Sequence, residues 1–247
     1  MSYKNRIWYI DFFRGLAIVN MIIYHSLYDL RYVFNVPWAK FFSMEGFHFY
    51  QQYICISFIF IAGISTNFSK NVIRKGLLLI FFNLVIHFVT TLISEDLAIR
   101  YGVLGLIGTG MIFIELFVKK LRINIFFGFL IFMTLFIFAK YSIFSQNFVY
   151  NSLNELFVDF DFGYIFGFPK PDFYSADYFP IYPWIFLISS GYYFGKNILG
   201  FEVNKRSVIK NSVVKIISRI GQKSLAIYLL HQPVVALVLF IFYHKNL

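Results

Sequence analysis

The chain has 247 residues, of which 59% are hydrophobic and only 14% charged, with a formal net charge of +10. A soluble domain carries about 25% charged residues, so composition excludes an ordinary soluble fold. It also turns the basic surplus into the cationic inner loops of a membrane protein rather than a nucleic-acid surface.

Apolar runs recur along the whole length, which predicts one all-α transmembrane domain over 1–247. Spans are expected near 13–33, 50–68, 76–94, 101–118, 124–141, 179–197 and 222–243. Each is long enough to cross a hydrocarbon core of about 30 Å. The first run is not expected to be a cleavable signal peptide, since it carries Asp11 and Arg14 inside it, lacks a small-residue cleavage site and is followed by further spans. Seven spans with the N-terminus inside and the C-terminus outside place fifteen Lys and Arg residues inside and six outside. The inner set includes Lys4, Arg6, Lys205, Arg206 and Lys210, and the outer set includes Lys245. That bias is the one that orients membrane proteins. The longest outer stretch, 142–178, mixes aromatic and acidic residues with Gly and Pro, and is expected to cover an outward-facing cavity. The basic, partly amphipathic segment 201–221 is expected on the anionic inner leaflet. The lone Cys55 allows no intrachain disulfide.

Ionisable groups at membrane depth are costly and need partners or water. The first span carries Asp11, Arg14, His25 and Asp29, which fall on one helical face. Asp11 and Arg14 stand one turn apart and are expected to pair. His25 and Asp29 stand one turn apart too, so Asp29 is positioned to orient the imidazole of His25. His48 opens the second span. His87 shares a face with Asn83 and Thr90, and His231 shares one with Ser224 and Tyr228. These histidines either glue helices together or form an outer-leaflet cluster. No H-x-x-x-H or H-E-x-x-H spacing supports a metal, and none is expected. The sixth span opens DYFPIYPW, where Pro180 and Pro183 predict an irregular start beside Asp177 and Tyr178. Glu115 and Lys119 are expected to form a surface pair.

RIWYIDFFRGLAIVNMIIYHSLYDL at 6–30 resembles the start of the heparan-alpha-glucosaminide N-acetyltransferase catalytic-domain family in its short bacterial form. FIFIAGISTNFSK, DYFPIYPWIFLISSGYYFGK and GQKSLAIYLLHQP are similar to that family's later segments, in order. The spacing from Arg14 to His25 also matches the R-x10-H pattern of the acyltransferase-3 family, where that His is implicated in catalysis. In the lysosomal relative the equivalent first-helix position is Asn, and its active-site His lies between the first two spans, much as His48 does. The fourth-span motif often carries His or Gln where GVLGLIG has Gly105.

The resemblance implies transfer of an acetyl group from cytosolic acetyl-CoA to an extracytoplasmic sugar or glycan, in the cell membrane. Acetyl-CoA is then the donor substrate. His25, Asp29 and His48 are the catalytic candidates. Asp11, Arg14, His87, Asp177, Tyr178, Tyr228 and His231 are candidates for holding substrate. The bilayer is a partner, nucleic acid is not expected, and a homo-oligomer is left open. Two other readings use the same residues: a transporter with the polar stripe as its path, and a non-catalytic membrane protein that keeps the fold.

Overall fold

Long apolar runs leave their backbone groups no partner but one another, so the chain folds into helices. A computed structural model describes residues 7–41, 44–157, 159–202 and 211–243. The helices are α1 (Trp8–Tyr32), α2 (Met44–Thr66), α3 (Val72–Ile93), α4 (Val103–Leu116), α5 (Ile125–Ser145), α6 (Phe148–Phe157), α7 (Gly163–Phe166), α8 (Ile181–Glu202), α9 (Ser212–Gln222) and α10 (Ser224–Tyr243). No strand forms among the described residues; Tyr101 and Tyr178 make an isolated parallel bridge. Lys4, Arg6, Lys205, Arg206, Lys210 and Lys245, used above to orient the chain, lie outside the described residues.

Among those residues, five helices are long and apolar enough to cross a membrane: α1, α2, α3, α5 and α10. Helices also form at the two other expected spans. α4 has 14 residues, about 21 Å at 1.5 Å per residue, which is short of the hydrocarbon thickness. α8 is long enough but carries Ser189, Ser190, Lys196 and Asn197. The expected irregular start of α8 is present, with Tyr182 outside helical geometry. The stretch 142–178 is more ordered than an outer loop. Asn147 Oδ1 accepts from Tyr150 N at 3.3 Å, capping the start of α6.

The chain divides into two compact units, one of Met1–Ile61 with Lys205–Leu247 and one of Ala62–Asn204. In the first, α1 packs against α9 and α10. Ile18, Met21 and Ile54 are its buried centre, with Ile220, Ile227 and Tyr228 against them. Tyr50 donates to Asn20 Oδ1 at 2.7 Å, joining α2 to α1. In the second unit, α3 packs on α4, and α8 on both α4 and α5. α3 and α4 meet at glycines: a Cβ on Gly76 would stand 2.7 Å from Gly108 O. Small residues allow such backbone approach inside membranes.

Of the amphipathic segment 201–221, residues 201–202 end α8 and residues 212–221 lie in α9. Asn211 Oδ1 caps it by accepting from Val213 N and Val214 N. Ser218 and Gly221 are buried, while Lys215, Arg219 and Lys223 are exposed.

Candidate active site

The polar stripe of α1 resolves into two groups within the first unit. One surrounds Asp11 and Arg14. Arg14 Nη1 lies 3.0 Å from Asp11 Oδ1, the expected pair. Asp11 is 7% exposed, so its partner lowers the cost of burying a carboxylate. Arg14 also donates to Gly221 O at 3.4 Å, which ties α1 to the end of α9. The two helices touch through backbone there. A Cβ on Gly15 would overlap Ile217 O, and one on Gly221 would overlap Asp11 O. Arg14 therefore sits where the basic helix α9 meets the first span.

The second group joins α1 to α10. The rings of His25 and His231 stand 4.9 Å apart, centroid to centroid. Tyr24 packs edge-on against His25 at 5.3 Å, and the Tyr228 ring lies 5.6 Å from His231. His231 Nδ1 donates to Tyr228 O at 2.6 Å. Asp29 is buried, and its carboxylate accepts from Gln232 Nε2 at 3.1 and 3.3 Å. Asp29 thus takes its hydrogen bonds from Gln232 and not from His25. The reason is direction: α10 presents an amide to Asp29, whereas His25 turns its ring toward His231. Sequence reasoning missed Gln232. Its only signal was its place beside His231 in the LLHQP segment. His231 Nε2 and Gln232 Oε1 are both buried without a hydrogen-bond partner.

The other candidates lie elsewhere. His48 is exposed at the start of α2, with its ring 6.2 Å from Phe49. It joins neither the His25–His231 contact nor the Asp29–Gln232 pair. His87 belongs to the second unit, where Nδ1 is 3.4 Å from Thr91 Oγ1. Asp177 and Tyr178 are also in that unit. The Asp177 carbonyl accepts from Ser175 Oγ at 2.7 Å, and the Tyr178 hydroxyl donates to Tyr164 O at 2.5 Å. Burial raises the Tyr178 hydroxyl above its ordinary range, and the neighbouring Tyr150 adds to the shift. Glu115 and Lys119 pair at 2.8 Å as expected.

Residues 6–233 match the family described as heparan-alpha-glucosaminide N-acetyltransferase, catalytic. The chain belongs to this family. No curated protein and no solved structure matches it. The match begins before Asp11 and ends one residue past Gln232, so the N-acetyltransferase family segment contains both polar groups whole. The family points to a transferase held in a membrane.

Gly105 marks where this family member departs from the motif it resembles. A Cβ at 105 would stand 3.1 Å from Asn83 Oδ1 and 3.2 Å from the Tyr101 ring. Asn83 Oδ1 accepts from Gly102 N at 3.0 Å, and the Tyr101 hydroxyl is 2.8 Å from Thr109 Oγ1. Asn83 and Tyr101 occupy the space that a larger residue 105 would take.

Proposed function

We propose that the chain is a membrane acetyltransferase that moves an acetyl group from cytosolic acetyl-CoA to a sugar or glycan on the far side. The observation that carries this reading is the meeting of His25 with His231 beside Asp29 and Gln232, inside a segment of N-acetyltransferase family sequence. The accompanying topology has seven spans, with α4 and α8 completing the five apolar helices, the N-terminus inside and the C-terminus outside. The basic side then faces the anionic donor.

The chemistry suits the groups present. A thioester is attacked by an amine or hydroxyl of the acceptor. The new bond to the acetyl carbon forms, the carbon–sulfur bond breaks, and the acceptor's proton must leave. An imidazole takes that proton in direct transfer, or first carries the acetyl group and then passes it on. The sulfur leaves as the thiolate and is protonated to free CoA. Arg14, with Lys215 and Arg219 on the adjoining helix and Lys223 just past its end, supplies positive charge for the phosphates of CoA.

The test is transfer of labelled acetyl from acetyl-CoA by the purified full chain in lipid nanodiscs, with glucosamine and methyl glucoside as acceptor probes. Label should appear on an acceptor or on the protein, and Arg14→Ala should raise the KM for acetyl-CoA about tenfold. A folded wild type that leaves label on neither acceptor nor protein would overturn the reading. Uptake of a probe into vesicles without its acetylation would favour transport.

A further inference from the structure

Resting on the transfer reaction above, we infer that His231 is the proton acceptor of that reaction, acting through Nε2, with the Tyr228 carbonyl fixing its tautomer. The argument begins with an atom that can only accept. Tyr228 O lies 2.6 Å from His231 Nδ1, and a carbonyl oxygen has no hydrogen to give. Nδ1 must therefore carry the hydrogen. In the neutral ring this leaves Nε2 as a bare lone pair, which is the form that a general base needs.

That lone pair is buried and has no donor. Buried polar atoms in proteins are nearly always paired, so an unpaired one calls for a reason. The neighbouring residue adds a second such atom. Gln232 turns its amide nitrogen to both oxygens of Asp29, since its own oxygen would be repelled there. Its Oε1 is thereby left facing elsewhere, buried and unpaired as well. Two consecutive residues of α10 thus hold out acceptors without donors. Both atoms can accept only from an O–H or N–H group, the feature that an acetyl acceptor has. When such a group binds, Nε2 takes its proton as the bond to the acetyl carbon forms, and the proton passes on to the departing sulfur. His25 has no comparable anchor; it meets His231 through ring contact at 4.9 Å.

The experiment has a kinetic arm and a structural arm, both on the full chain in nanodiscs. His231→Ala should lower kcat with glucosamine or methyl glucoside by about 10²–10⁴-fold. Added imidazole should restore part of the lost rate, and His231→Gln should remain folded but inactive. A wild type that transfers acetyl while folded His231→Ala keeps a similar kcat would overturn the His231 assignment and leave the transfer reaction standing. A wild type inactive with acetyl-CoA and both probes would overturn the reaction and the base role together. The structural arm needs no activity. In nitrogen-15 histidine spectra, the signal lost in His231→Gln should report a protonated Nδ1 and a bare Nε2. A hydrogen on Nε2 with a bare Nδ1 would refute the tautomer on which the inference stands.

Discussion

Gln232 Nε2 reaches both carboxylate oxygens of Asp29, at 3.1 and 3.3 Å, across 203 positions of sequence. The contact holds the last long helix against the first and satisfies a buried carboxylate. Removing one partner strands the other. Gln232→Leu should destabilise the chain by about 1–3 kcal/mol, the usual cost of a buried polar group left unpaired. Asp29→Leu with Gln232→Leu should recover part of that loss. Thermal unfolding in nanodiscs of the two single variants and the double variant measures the coupling; purely additive losses would mean that the two residues do not interact.

Gly221 is a site where a methyl group has no room. A Cβ there would overlap Asp11 O on α1, and backbone cannot step aside as a side chain can. Gly221→Ala should separate α9 from α1 and cost about 1–3 kcal/mol or more. Reduced thermal stability and increased protease sensitivity near 212–222 are the expected readouts. Gly167→Ala provides a comparison in the second unit, where φ of +111 predicts backbone strain in addition to a Cβ only 2.7 Å from Tyr182 O.

Gly105→Gln restores a polar residue found in the motif that the chain resembles, and the expected result is harm. The new side chain would press on Asn83 Oδ1, which accepts from Gly102 N at the start of α4. Asn83→Ala removes the same bond and should cost about 1 kcal/mol, as loss of a helix-start hydrogen bond does. If Gly105→Gln is as stable as the parent, Asn83 and Tyr101 do not fill that space as described.

Topology is tested by cysteine labelling in a Cys55→Ala background. Phe160→Cys should react with an impermeant reagent on whole cells. Arg219→Cys on the basic face of α9 should react only after permeabilisation. The opposite pattern would invert the orientation, and labelling of both positions on whole cells would break the seven-span count.

The pH response of the segment 142–178 follows from Asp161 and Lys170, two exposed residues that pair at 2.5 Å. The hydrogen bond from Lys170, then its charge, holds the Asp161 carboxyl below its ordinary range. Its contribution is therefore present above the unfolded carboxylate pKa and is lost as pH falls through the lower folded value. Solvent screening keeps such a pair weak. Asp161→Asn should abolish the acid-induced chemical-shift change at Lys170 while leaving the melting temperature nearly unchanged.

Features that depend on near neighbours were legible in the order of residues. Apolar runs set the helices, because backbone groups in hydrocarbon must bond within their own segment. Arg14 found Asp11, and Lys119 found Glu115, because one helical turn brings such side chains together. The four ionisable residues on one face of α1 also marked the first span as the place to look. Which distant helix meets that face depends on packing over more than 200 residues of sequence, which local spacing does not encode. His25 lies against His231, Asp29 takes Gln232, and Arg14 adds Gly221 O, because α10 and α9 pack on α1. Local spacing favoured Asp29 as the orienter of His25 since four residues make them neighbours. It could not register that α10 would offer the carboxylate an amide and the imidazole another ring. The tautomer of His231 was hidden for a related reason: it depends on the angle at which its ring meets the carbonyl of Tyr228, a quantity set by side-chain packing and not by the order of residues.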